Sequence, residues 1–189
     1  MTAALSAAGH TVVAVGSSAE RLASVTANAH YVCDLADADA TAALGPRVRE
    51  EVGPVDGLIH LVGGWMTGHD TDGWDSLEPR LLTSLRLATL TFHDDLTASS
   101  AGRLVVIGST SAAKPTWGGA NYAVLKTAAD AWVSAVASGW RKAGTAAAVT
   151  LLVTSIGGGG TPVEHLTDAI LPLWDAPAAD LNGARLDLS

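Results

Sequence analysis

The sequence predicts an α/β protein: a doubly wound parallel sheet in three layers, with helices on both faces. Two patterns carry this. Short apolar runs rich in β-branched residues recur along the 189 residues. Helical stretches alternate with them through short connections, as parallel strands joined by crossovers require. The length suits one unit spanning residues 1–189, and a content of 48% apolar residues supplies its core.

The elements follow in order. "SAAGH" reads as a helix end with a turn at Gly9, and "TVVAV" (Thr11–Val15) as a buried strand. "SAERLASVTA" is a short helix capped by Ser17 or Ser18. "AHYVC" (Ala29–Cys33) is the next strand, and Asp37 to Val52 a helix stopped by Gly53-Pro54. "DGLIHLVGG" is a strand running into a glycine turn, and Trp74 to about Thr97 one long helix. "RLVVIGS" is the fourth strand, Asn121 to Arg141 the second long helix, and "AAAVTLLV" the fifth strand. Gly157–Gly160 carry no packing pattern and read as a flexible connection. "PVEHLTDAILPLW" is a helix and "ARLDLS" the last strand.

The bulk numbers narrow the function classes. A formal charge of −8 with scattered basic residues argues against nucleic-acid binding, which needs a concentrated basic face. No apolar run approaches the roughly 18 residues of a membrane helix, and no secretion signal is legible. Cys33 is the only cysteine, so there is no disulfide framework, and a reducing, cytoplasmic setting fits. The six histidines show no metal-ligand spacing; "HDTD" (His69–Asp72) is too compact a turn to converge on one ion.

Chemistry concentrates in "GSTSAAKPTWGGANYAVLK". Tyr122 and Lys126 are four residues apart, so both lie on one helix face. A phenol in water titrates about three units too high to act as a base at neutral pH, and a nearby ammonium favours the phenolate. Ser109 ends the preceding strand, at the sheet edge where open α/β sheets hold ligands. Ser111 is the weaker alternative.

These residues resemble the short-chain dehydrogenase/reductase family, with its Tyr-x-x-x-Lys and upstream serine. "CDLAD" is similar to the family's Asp-hydrophobic pair, "HLVGGW" stands where it has Asn-Asn-Ala-Gly, and "NGARLDL" resembles its last strand. "GGW" is most similar to the dihydropteridine-reductase branch. The resemblance implies a Rossmann-like fold and an NAD(P)-dependent oxidoreductase passing a hydride to or from a carbonyl, imine or alcohol carbon. Tyr122 would be the proton donor or acceptor, Lys126 would hold the nicotinamide ribose, and Ser109 would orient the substrate carbonyl. Gly16, Ser17, Asp34, Leu35, Gly63 and Gly64 would join Tyr122 and Lys126 around NADP or NAD, with Asp34 and Leu35 at the adenine. A homodimer or homotetramer acting on a small molecule is implied, with the long helices at the interface.

The chain also departs from the family pattern. Met1–Ala8 matches only the end of the first helix, so the sheet is expected to be N-terminally incomplete. It would lack the first strand and the glycine loop, leaving a gap between two neighbours. Ser84 stands where the family often carries asparagine, and the substrate lid is reduced to "VTSIGGGGTPVEHL". Ser17 and Ser18 are neither the acidic residue of NAD-preferring members nor the arginine of NADP-preferring ones, although Arg21 is near. The alternative function is a non-catalytic relative, free of cofactor, serving association or ligand binding. Trp65 and Trp117, on loops at the carboxyl end of the sheet, are candidates to stack on a flat substrate such as a pterin or quinone.

Overall fold

A computed structural model describes residues 1–189 and has the alternation expected of a Rossmann-like fold. Helix α1 (Thr2–Ala7) leads to β1 (Val13–Gly16), α2 (Ala19–Ala23) to β2 (Ala29–Val32), and α3 (Ala38–Glu51) to β3 (Gly57–His60). Next come α4 (Thr71–Glu78), α5 (Ser84–Ala98) and β4 (Gly102–Ser109). Helix α6 (Ala120–Trp140) precedes β5 (Ala146–Val153), and α7 (Val163–Ile170) and α8 (Ala178–Leu181) precede β6 (Arg185–Asp187). No helix is long and apolar enough to cross a membrane.

Every ladder is parallel. The strands form two pieces, β1–β2 and β3–β4–β5–β6. The gap expected from the sequence therefore lies between β1 and β3, which do not pair. The β4–β5 ladder is the centre of the larger piece, matching Gly102 with Ala146 through Ser109 with Val153.

Strand alternation sorts these residues between two helical layers. Leu104, Val106, Ala146 and Ala148 point to α5 and α6, meeting Leu85, Leu96, Val133 and Trp140. Val105, Val149, Leu151 and Val153 point the other way, to Leu5 of α1 and to Leu166 and Ile170 of α7. Small alanines on one face let α6 approach closely, and the Trp140 indole fills the remaining space, its N–H donating to Thr97 Oγ1 at 2.8 Å. Gly102 is needed at the start of β4 because a Cβ there would run into the Leu96 carbonyl.

Two stretches differ from the sequence reading. The long helix is interrupted by a π-helical turn at Pro79–Thr83. Pro79 has no N–H to donate and its ring crowds the carbonyl four residues back, which breaks the α pattern there. Gly157–Gly160 form a closed turn rather than a loose connection. The Gly157 amide donates to Thr161 O at 3.0 Å and the Thr161 amide to Ser155 O at 2.9 Å. Gly157, Gly158 and Gly159 all have positive φ, which explains why glycine stands at each.

At the opposite end of the sheet Arg103 is 2% exposed and faces no carboxylate. Its guanidinium donates to Leu173 O (2.7 Å), Gly102 O (2.8 Å), Thr145 O (3.3 Å) and Ala176 O (2.8 Å). One planar fork thus satisfies carbonyls from two connections and from the first residue of β4. Replacing Arg103 with Met would leave those acceptors unpaired and is expected to cost about 3 kcal/mol, read as a lower denaturant midpoint at unchanged slope. Arg103→Lys is expected to recover only part of the loss, because an ammonium cannot span the same carbonyls.

Candidate active site

The carboxyl end of β4 carries Ser109, which is 3% exposed. Its Oγ accepts the Ser111 amide at 3.2 Å, capping the turn Thr110–Ala113. The hydroxyl proton remains available to donate to a ligand oxygen. A cleft of about 530 Å³ opens beside it, lined by Ser109, Thr110, Ser111, Lys114, Leu152 and Arg185. Tyr122 and Lys126 are not among its walls; they reach the strand end from α6.

Lys126 is buried, and its Nζ donates to Ile107 O at 2.7 Å, two residues before Ser109. Burial pushes its pKa down to about 8, so the amine is still mainly an ammonium at neutral pH. The same Nζ lies 5.9 Å from the centroid of the Tyr122 ring. That ring is half-buried against Leu77, Leu81 and Leu125. Helix α6 is thus joined to the carboxyl end of β4, with Ser109 lining the cleft and the Tyr122 ring packed outside it. A hydrogen bond ties Lys126 to the strand of Ser109, and the ring–ammonium contact ties it to Tyr122.

Beneath this group lies a polar pair that the motif does not include. His60, at the end of β3, is 4% exposed, and its Nε2 is 3.0 Å from Ser84 Oγ. The Ser84 hydroxyl donates to Arg80 O at 2.8 Å, within the π-helical turn. Its proton being committed, Ser84 accepts from His60, which assigns the proton of the neutral imidazole to Nε2. Burial, with the Lys126 charge adding to it, pushes the His60 pKa down to about 4. Two sequence signals bear on this pair: Ser84 stands where the family often carries asparagine, and the strand period puts His60 on the face of Leu58, toward α5 and α6.

The remaining predicted residues line the sheet edge on either side of the gap. Gly16 ends β1 with the Leu22 side chain below it. Ser17 is exposed, and its Oγ lies 3.5 Å from Arg21 Nη2. Ser18, not Ser17, caps α2 through the Arg21 amide. Asp34 is exposed after β2, its Oδ1 accepting the Ala36 amide at 3.0 Å, while Leu35 packs inward on the cluster of Tyr31, Leu44 and Val48. Gly63 and Gly64 are exposed in the loop after β3; a Cβ on Gly63 would meet only Leu81, at 3.9 Å.

The buried imidazole has a consequence for acid stability. Its folded pKa lies below the unfolded value of about 6.5, so the unfolded chain binds the extra proton first. Stability is expected to fall as pH drops from about 6.5 to 4. His60→Gln should flatten that part of the curve in chemical melts at pH 7, 5.5 and 4.5; an unchanged slope would show that the imidazole does not control it.

Comparison with known proteins supports the same fold. The family model described as short chain dehydrogenase matches residues 1–168. A search of curated proteins returns no match. A solved gluconate 5-dehydrogenase from Burkholderia cenocepacia, in complex with NADP and tartrate, is 20% identical with a TM-score of 0.87, covering 100% of this chain and 87% of that one. A metagenomic short-chain oxidoreductase in complex with NADP is 22% identical with a TM-score of 0.84, covering 100% and 90%. An NAD+-bound xylitol dehydrogenase is 14% identical with a TM-score of 0.81, covering 93% and 86%. At these identities the structures speak for the fold, and the match over 168 residues decides the family: this chain belongs to the short-chain dehydrogenases.

Proposed function

We propose that the chain is an NAD(P)-dependent oxidoreductase in which Tyr122 gives or takes the proton at a substrate oxygen. The observation that carries this reading is the buried Lys126 ammonium, bound to Ile107 O beside the Tyr122 ring. Burying a charge is costly unless it serves an interaction. An ammonium has three donors, and one is engaged by Ile107. The other two suit the hydroxyls of a ribose.

The residues fit a dinucleotide at both ends. Lys126 and Tyr122 would hold the nicotinamide ribose, with the open face of Gly63 leaving room beside them, while Gly64 lies close to the Arg80 guanidinium. Asp34 and Ser17 would meet the adenosine end, and the Arg21 guanidinium over Ser17 adds a cation suited to a 2′-phosphate. The bound dinucleotide supplies or accepts a hydride. Ser109 would donate to the substrate oxygen, and Tyr122 would exchange its phenolic proton with that oxygen beside the Lys126 ammonium. His60, neutral and anchored on Ser84, adds no competing positive charge beside Lys126. A homodimer or homotetramer remains part of the proposal.

Two measurements test it. In calorimetry NADPH or NADH should bind the 189-residue chain; a folded chain binding neither would favour the non-catalytic alternative. Tyr122→Phe should then cut turnover by about 10²–10⁴-fold with the cofactor dissociation constant nearly unchanged. Retained turnover would remove Tyr122 from the chemistry.

Lys126→Met gives an independent expectation. The folded pKa of about 8 lies below the unfolded value of about 10.4, so the wild type gains stability as pH rises between them. The variant should be at least as stable as wild type at pH 7, should lose that advantage by pH 10, and should bind the dinucleotide more weakly at both. Parallel stability curves would contradict the buried-ammonium account.

A further inference from the structure

The connection from β4 to α6 also carries an exposed tryptophan, stacked on a histidine. Trp117 is 74% exposed. One face of its indole stacks on His69, with centroids 4.2 Å apart and planes inclined by 28°. His69 belongs to a different connection, the loop Leu61–Asp70 after β3. The two loops are braced together at the same place. The Gly68 amide donates to Gly118 O at 2.8 Å, and the amide of Asn121 to Gly68 O at 3.4 Å. The buried Asn121 side chain donates to Asp70 O at 2.7 Å, while Asp70 caps α4 through the Gly73 amide at 2.7 Å. The indole is therefore held in place by its surroundings and yet left open to water. Trp65, on the same loop as His69, is 68% exposed, and Met66 beside it is also exposed. Apolar surface kept open on braced loops marks a binding surface more than a packing one.

Its place in the chain narrows the occupant. Trp117 lies between Ser109 and Tyr122 in sequence, five residues before the tyrosine and at the head of its helix. We infer that the Trp117–His69 stack is a wall of the substrate site, selecting a planar aromatic or conjugated carbonyl compound over an aliphatic one of equal size. This rests on the oxidoreductase reading for its chemistry but not for its binding. A flat π-face meets the open part of the indole in offset stacking, whereas a puckered ring of the same carbon count touches it with only part of its surface.

The test uses two ketones with one carbon skeleton, 2-acetylnaphthalene and 2-acetyldecalin. Binding is measured by calorimetry with and without NADPH, and turnover by NADPH consumption, for the whole chain and its Trp117→Leu and Trp117→Phe variants. Wild type should bind the aromatic ketone about tenfold more tightly. Trp117→Leu should remove that preference and leave the saturated ketone unchanged, and Trp117→Phe should keep most of it. Equal affinity for both ketones in wild type, or equal loss of both in Trp117→Leu, would overturn the inference. A change of sedimentation in Trp117→Leu with ketone binding unchanged would overturn it too, assigning the pair to contact between copies. The two readings fail separately. Selective binding of the flat ketone without turnover would sink the oxidoreductase reading and leave the wall standing; turnover of both ketones with equal KM would do the reverse.

Discussion

The hydrogen bond from Lys126 Nζ to Ile107 O is the contact on which the site depends. It fixes how far along β4 the helix α6 sits, because a buried ammonium has few other places to put its protons. Tyr122 lies one helical turn before Lys126, and Ser109 two residues after Ile107, so one bond sets the placement of both. The same charge constrains what can lie beneath it. His60 stays neutral there, and Ser84 decides which ring nitrogen carries the proton. The π-helical turn before Ser84 is part of this arrangement, since Arg80 O in that turn receives the Ser84 proton. Charge, tautomer and helix irregularity thus belong to one packed unit at the strand ends.

The parted sheet shows that ladders are not what joins the two halves of the molecule. β1–β2 and β3–β6 share no backbone bond, but helices α3 and α5 bridge them. The Arg49 Nε–H of α3 is shared between both carboxylate oxygens of Asp95 of α5, at 2.9 Å and 3.0 Å, and its Nη2 donates to Thr91 O at 2.8 Å. Phe92 of α5 packs in the same cluster as Tyr31 and Cys33, with Leu58 of β3 at its margin. The helical layer therefore carries the alignment that a continuous sheet would otherwise supply. The edge proposed for the dinucleotide inherits it: Gly16 and Ser17 stand on one side of the gap, Gly63 and Gly64 on the other.

Much of this was legible in the sequence where the signal is local. The alternation of "RLVVIGS" with the helix from Asn121, and the i to i+4 spacing of Tyr122 and Lys126, depend on neighbours in the chain. What escaped depends on distant ones. His60 reads as an ordinary histidine until α5 brings Ser84 to it, and His69 reads as part of an acidic turn until the next loop lays Trp117 against it. The π-helical turn has a local signal in Pro79, which stands inside the expected helix beyond its first turn, but the proline alone does not say that the chain continues as a π turn. The closed turn at Gly157–Gly160 is made by hydrogen bonds with Ser155 and Thr161, and four glycines in a row reveal nothing of those.

Arg103 bears on how the chain is made. Its acceptors on Leu173 and Ala176 lie 70 and 73 residues further on. A chain emerging from the ribosome exposes β4 long before those carbonyls exist. Until then the guanidinium has no complete set of acceptors to justify leaving water, and the strand that carries Ser109 has an unsealed lower end. The β1–β2 pair, closed over a short crossover, can form early. The half that carries Ser109, Tyr122 and Lys126 should lock late, after the segment with Leu173 and Ala176 arrives. Arg103 thereby makes the arrival of Leu173 and Ala176 a condition for assembling the site.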